Sequence, residues 1–162
     1  MEAIKCIKER RSIRNYKEEK IPEEDIRKIL DCARHAPSAN NKQPWEFVVV
    51  ENDELLEELG SICSYGKFIE NCSHCIVVLG KKDEKYFLED GCAATMNILL
   101  SVKALGYGSC WVAGHGKKYE QEVLEALKKK DKKLVSILPI GVPDEKPGKN
   151  KKSLEKVTEW IK

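Results

Sequence analysis

Pro37-Ser38-Ala39-Asn40-Asn41-Lys42-Gln43-Pro44 runs without a break into Trp45-Glu46-Phe47-Val48-Val49-Val50. A polar loop held between two prolines thus feeds a β-branched run of strand length, predicted over Glu46 to Val50. Pro37 also ends what precedes it, because the residue before a proline is pushed out of helical geometry. That upstream segment has Pro22 at a first-turn position, acidic Glu23, Glu24 and Asp25 at the positive helix start, and Ile26, Ile29, Leu30 and Ala33 at helical spacing. Helix, stiffened loop and strand therefore follow one another within about thirty residues.

The same pattern continues in both directions. Ile4 and Ile7, with Ala3 and Cys6, predict a short amphipathic helix that delivers the basic run Arg10-Arg11-Ser12-Ile13-Arg14 to one spot. Leu55, Leu56, Leu59 and Ile62 mark another helix. Cys75 to Leu79 is a strand too apolar to have a solvent face, so it is placed at the centre of a sheet. Phe87 to Leu105 is a long helix almost without charge in its middle, which a globular protein buries on most sides. Gly106 to Val112 reads as a glycine-punctuated turn and a short strand that ends at Ala113-Gly114. Val123, Leu124 and Leu127 define a helix, and Leu134 to Val142 a strand whose Pro139 predicts an edge or a bulge. Leu154, Val157 and Ile161 predict a short terminal helix.

Length and composition bound the class. A chain of 162 residues supports one apolar core, hence one domain over residues 1–162. The 29 basic and 27 acidic residues leave a net charge of only +2, so no whole-protein field points to nucleic acid. No pattern of a secretory leader is present, and the longest weakly charged run, Gly91 to Val102, is shorter than the roughly 20 residues of a membrane helix. A cytoplasmic protein with no membrane or nucleic-acid partner is expected. The seven cysteines are odd in number and lack a secretory context, so they read as mostly reduced thiols.

Three separated segments carry candidate chemistry. In Arg10-Arg11-Ser12-Ile13-Arg14, guanidinium groups and a hydroxyl suit a phosphate or another anion; cations closing a helix end are the plainer reading. Ser38, Asn40, Asn41 and Gln43 offer amides and a hydroxyl that suit the edge of a planar heteroaromatic ring, and they also suit an ordinary polar turn. At Val112-Ala113-Gly114 the small side chains allow close approach of a ligand to the backbone, although a glycine at a strand end is commonplace.

Taken together and in this order, with Ala104-Leu105-Gly106-Tyr107-Gly108-Ser109-Cys110-Trp111 after the long helix and Ile140-Gly141-Val142-Pro143 near the end, the segments resemble those of small FMN-dependent nitroreductases over nearly the whole chain. The resemblance implies an α+β fold with a central mixed or antiparallel sheet, flanking helices, a long buried core helix and a homodimer with FMN sites at the subunit interface. It implies that Arg10, Arg11 and Ser12 meet the FMN phosphate and ribityl chain, with Arg14 near the pyrimidine end of the ring. Pro37, Ser38, Ala39 and Asn41 would come from the second subunit, and Val112, Ala113 and Gly114 would lie beside the ring. Lys151, or its neighbours Lys149 and Lys152, would complete the phosphate site. The implied activity passes electrons from NAD(P)H through FMN to a nitroaromatic, quinone or similar acceptor by a ping-pong mechanism. No protein acid, base or nucleophile is needed, since the flavin carries the chemistry and Arg14 gives electrostatic support. Reductive dehalogenation, flavin breakdown and a non-catalytic FMN-binding or redox-sensing module are the alternatives. Larger members of the family have an extra helical excursion for which this chain has no room, so the pocket is either more open or lidded by the Ser64-to-Asn71 segment.

Other motifs are weaker. Cys72-Ser73-His74-Cys75 has the spacing of half a zinc or redox site, but no second pair follows and Cys75 belongs to the apolar strand. Lys128 to Lys133 lacks interleaved aromatics and reads as a solvated face. His35 reads as a helix-end cation and His115 as an exposed turn residue. Asn97, inside the apolar helix, needs a polar partner, either within the chain or at a subunit interface.

Overall fold

The Cys75–Leu79 run does form the middle of a sheet. The computed structural model describes residues 2–148 and 150–162. Its elements are α1 (Ala3–Glu9), α2 (Glu23–Arg34), β1 (Trp45–Val50), α3 (Asp53–Ile62), β2 (His74–Lys81), α4 (Phe87–Ala104), β3 (Gly108–Ser109), β4 (Val112–Ala113), α5 (Glu120–Ala126) and β5 (Lys132–Gly141). The strands run in the order β1-β2-β5-β3, with β4 also on β5, and every ladder is antiparallel. Val48 faces Val77, and Val77 faces Ile137 across the next ladder.

Successive side chains of β2 enter two different cores, as the period of a strand requires. Cys75, Val77 and Leu79 pack with Leu56 and Leu59 of α3 and with Val123 and Leu124 of α5. Ile76 and Val78 pack with Ile26, Ile29 and Ala33 of α2 and with Ile98, Leu99 and Val102 of α4. Both faces are therefore covered by helices, which explains a strand with no polar alternation. Each fully buried Ile or Leu contributes about 1.5–3 kcal/mol through removal from water. Gly91 lets α4 lie close to the sheet, since a Cβ there would stand 2.8 Å from a Val135 methyl.

Four expectations are corrected. First, α1 stops at Glu9 and the backbone is extended at Arg10 (φ −57°, ψ 129°), so the arginines are delivered by an extended strap rather than by a helix face. Second, β5 is an interior strand. Its bulge falls at Val135, skipped in the register between Val78↔Ser136 and Leu79↔Leu134. Pro139 lies where β3 has ended and β4 has not begun, so its missing N–H breaks no ladder. Third, Gly106 to Val112 forms two short strands, β3 and β4, instead of one. Fourth, the terminal helix is replaced by a single 3-10 turn at Leu154–Lys156. Leu154, Val157, Trp160 and Ile161 are exposed, and a short helix with no surface to bury its apolar stripe is not stable. On α4, the buried stripe is continuous, but Met96 remains 40% exposed on the opposite side.

Candidate functional site at the β3–β4 edge

The strap from Arg10 to Lys17 is laid along the free edge of the sheet. Ser12 bridges Ser109 in parallel, and the Ile13 amide donates to the Ser109 carbonyl at 2.9 Å. Further on, Tyr16 bridges Pro143, the Lys17 amide donates to Val142 O and the Asp144 amide donates to Asn15 O. Ile13 and Tyr16, three positions apart, are the two residues of the strap that are buried. Two glycines make room for them. A Cβ on Gly108 would meet Ile13 at 2.9 Å, and one on Gly141 would meet the Tyr16 ring at 2.6 Å. The Tyr16 hydroxyl donates to the Ile13 carbonyl at 2.7 Å, with the Pro139 carbonyl 3.2 Å away.

With the inward residues anchored, the arginines face outward, in different directions. Arg10 and Arg11 line a cavity of about 650 Å³ together with Lys17, Lys103 and Lys146. Its acidic members are Glu9, Asp144 and Glu145, and the Glu145 carboxylate accepts the backbone amides of Arg14 and Asn15. The Arg11 guanidinium donates to the carbonyls of Lys8 (2.7 Å) and Arg10 (2.9 Å), closing the C-terminal end of α1. The helix-end reading is thus realised at this one arginine. Arg14 instead lies over the Phe68 ring, 5.9 Å from its centroid, and borders a second cavity with Tyr65 and Lys67. Phe68 belongs to the 3-10 turn Lys67–Asn71, so the segment proposed as a lid does stand against Arg14.

Between these groups sits Cys110, which composition gave no reason to single out. Burial pushes its thiol up, while Arg14, a Ser12 hydrogen bond and Arg10 pull it down. Ala113 is exposed, with its carbonyl engaged by the Tyr119 hydroxyl. Gly114 differs from the expectation of an open backbone. It is buried, and a Cβ there would stand 2.6 Å from Leu134, so the missing side chain serves packing.

The Pro37–Pro44 loop stands elsewhere. The Ala39 amide donates to both oxygens of the buried Asp90 carboxylate, at 3.1 and 3.3 Å, in the first turn of α4. Ser38 Oγ accepts the Gln43 amide at 3.0 Å, and Gln43 Nε2 donates to the Asn41 carbonyl and side-chain oxygen, both at 3.2 Å. Asn40, Asn41 and Gln43 all have φ near +50° (53°, 56° and 49°), a region that costs a non-glycine residue about 1 kcal/mol or more. Asp90 and Lys103, which border the loop and the arginine cavity respectively, are thirteen positions apart, about 20 Å along the helix axis. The structure sets the first motif on β3, close before the third, and holds the second apart from the arginine cavity. Asp90 was missed because an acidic residue in a first helical turn is already explained by the helix dipole.

Lys151 and Lys152 are exposed in the tail and do not reach the arginine cavity; among the described residues the C-terminal cation that does is Lys146. Lys149 lies outside the described residues. Asn97 donates to the Cys32 carbonyl at 3.0 Å, so its partner is within the chain. Cys72, Cys75 and Cys63 are buried thiols, with burial pushing Cys63 up to about 11 and Cys72 up to about 12. Among the described residues no helix is long and apolar enough to cross a membrane.

Comparison with known proteins agrees with this architecture. Residues 7–66 match the family described as Nitroreductase family, and residues 55–162 match that described as "Putative TM nitroreductase". The chain is 39% identical over 153 residues to the "Putative NADH dehydrogenase/NAD(P)H nitroreductase" of Archaeoglobus fulgidus, covering 90% of this chain and 88% of the relative. A solved FMN-dependent nitroreductase from Clostridium difficile superposes with a TM-score of 0.91 at 30% identity, over 98% of this chain and 99% of that one. The iodotyrosine deiodinase of Thermotoga neapolitana is 25% identical over 163 residues, covering 85% of this chain and 87% of the relative. The chain belongs to the nitroreductase family.

Proposed function

We propose that the protein is an FMN-dependent oxidoreductase that takes electrons from NAD(P)H and passes them to a small acceptor such as a nitroaromatic or a quinone, at sites shared between two copies of the chain. The observation that carries this reading is the Ser12–Ser109 bridge, which sets the arginine motif against β3, three residues before Val112. The donor set suits a flavin mononucleotide: Arg10, Arg11, Lys17, Lys103 and Lys146 with Ser109 line a cavity of about 650 Å³, within the range of small-molecule sites, and the exposed Ala113 lies outside it along the same sheet edge. Bound FMN would supply reversible two-electron chemistry between donor and acceptor, which take turns at the site in ping-pong order.

The chain's own residues bind and orient. Arg10 and Ser12 would hold the phosphate, with Lys146 as a C-terminal cation in place of Lys151. Arg11 contributes through the N–H groups not engaged by α1. Arg14, fixed against Phe68, places a positive charge where the pyrimidine side of the ring accumulates negative charge on reduction. Val112, Ala113 and Gly114 form the bed of the ring. Pro37, Ser38, Ala39 and Asn41 stand about 20 Å along α4 from the arginine cavity, and on this reading they reach the ring from the second copy.

Support for the dimer comes from apolar surface that one chain leaves bare. Ile4 and Ile7 on α1, Met96 on α4 and the tail residues Leu154, Val157, Trp160 and Ile161 are all exposed, and such surface marks an interaction face. The resemblance to iodotyrosine deiodinase keeps reductive dehalogenation as the second reading, with the Phe68 segment as the substrate-facing wall. The test is the absorbance of the pure protein in the flavin band, its stoichiometry per chain, and bleaching by NADH or NADPH without oxygen. A colourless protein that refuses added FMN, or a flavin that neither nucleotide reduces, overturns the reading; turnover of iodotyrosine in preference to nitroaromatics and quinones selects the second.

A further inference from the structure

A cavity of about 320 Å³ beyond the Val112–Gly114 edge is lined by Lys82, Lys117, Lys118, Lys132, Lys133 and Glu120. It joins the turn after β2, the start of α5 and the start of β5. Glu120 already accepts the Gly116 amide at 2.8 Å and lies 3.8 Å from His115 Nδ1. Lys132 pairs with Glu46 at 3.1 Å and Asp131 at 3.5 Å. Among the described residues no carboxylate forms an ion pair with Lys82, Lys117, Lys118 or Lys133. Like charges gathered around one small cavity repel one another, and a bound anion relieves that repulsion.

The place of the cavity says which anion. The Lys117 amide donates to the Gly114 carbonyl at 3.3 Å, closing the turn that ends the proposed ring bed. His115 in that turn packs edge-on against Phe87, with centroids 5.4 Å apart. A ligand whose reactive end lay over Ala113 would therefore carry its polar remainder toward these lysines. Ammonium groups on flexible stems suit phosphate as point charges, and no aromatic side chain lines the cavity to stack a nucleic-acid base. We propose that the cavity is a phosphate subsite for the nicotinamide donor and favours NADPH over NADH through the additional 2′-phosphate. This rests on the flavoenzyme reading above.

The test is a calorimetric titration of the FMN-loaded protein, at about 50 mM salt where exposed charges are weakly screened, with 2′,5′-ADP and with 5′-AMP. Wild type should bind 2′,5′-ADP roughly tenfold tighter than 5′-AMP. Lys117→Gln/Lys118→Gln and Lys82→Gln/Lys133→Gln should each weaken 2′,5′-ADP by about tenfold while FMN content stays at the wild-type level. In turnover, KM for NADPH should rise with kcat unchanged, and reduction by dihydronicotinamide riboside, which has no phosphate, should not move. Affinity within about twofold of wild type in both double variants overturns the subsite while leaving the flavin reading intact. Lysine-dependent binding of 2′,5′-ADP to a protein whose flavin no nicotinamide reduces overturns both the donor assignment and that reading. Loss of coupling to an acidic electron-carrier protein, with 2′,5′-ADP binding unchanged, overturns the subsite in favour of protein docking.

Discussion

Arg10, Arg11 and Arg14 share one short motif and face three environments: a cavity, a helix end and an aromatic ring. Arg10→Ala should weaken FMN retention roughly ten- to hundredfold, whereas Arg14→Ala should also slow anaerobic flavin reduction, as dialysis and stopped-flow traces would show. Equal and negligible effects would undo the assignment. His74 gives a prediction in pH. Ser73 Oγ accepts the Ile21 amide at 2.7 Å and is hydrogen-bonded to His74 Nδ1 at 2.9 Å, while His74 Nε2 lies 3.4 Å from the Glu51 carboxylate. Burial outweighs Glu51 and lowers the His74 pKa below its usual value. Protonation therefore favours the unfolded chain. Stability should fall as pH drops below about 6.5 and stop falling on this account once the lowered folded pKa is passed. Denaturant melts of wild type and His74→Gln across that range should converge toward acid if this holds. The thiols give a further prediction: with Cys32 exposed and Cys92 half-buried, native protein should show one fast thiol and one slow one, the rest reacting only on unfolding. Fast reaction of a buried cysteine would revive the redox-sensing alternative.

At the level of elements, the strap and the strained loop are each held by a few contacts that can be broken singly. Gly141→Ala drives a methyl into the Tyr16 ring and should cost about 1–3 kcal/mol in a denaturant melt, with a matching loss of FMN. Asp90→Ala leaves the Ala39 amide without its acceptor and should cost about 1–3 kcal/mol, loosening the loop without moving the arginines. These elements also show where a sequence is legible. Helices and long strands were readable because their apolar spacing is local: Ile26-Ile29-Ala33 and Cys75–Leu79 state their own geometry. The strap was not legible, and its arginines were assigned to a helix face, because its conformation is set by residues about one hundred positions later, through Ser109 and Pro143. Pro139 was misread for a similar reason, since whether a missing N–H matters depends on what lies opposite it.

For the whole molecule, the exposed tail and α1 face set the next expectation. Deleting residues 153–162 should loosen the dimer about a hundredfold or more in sedimentation, given about 1.5–3 kcal/mol for each large apolar side chain buried, and FMN should be lost with it. A truncated chain that stays dimeric and yellow would remove the tail from the interface. Here the sequence was readable in kind but not in place. Leu154, Val157 and Ile161 have helical spacing, yet the surface that would stabilise a helix is not within the chain. The same limit hid the lysine-lined cavity, because Lys82 and Lys133 become neighbours only through the β2–β5 ladder.

The strap has one more consequence, in time. Its hydrogen bonds join Ile13 to Ser109 and Asn15 to Asp144, so during synthesis the motif must wait for segments about one hundred residues later before it finds its place. Closing loops of that length costs entropy before any contact is gained, so the two central cores should consolidate first and the strap dock last. The cofactor would then load onto an already folded sheet, and refolding rates should be the same with and without FMN.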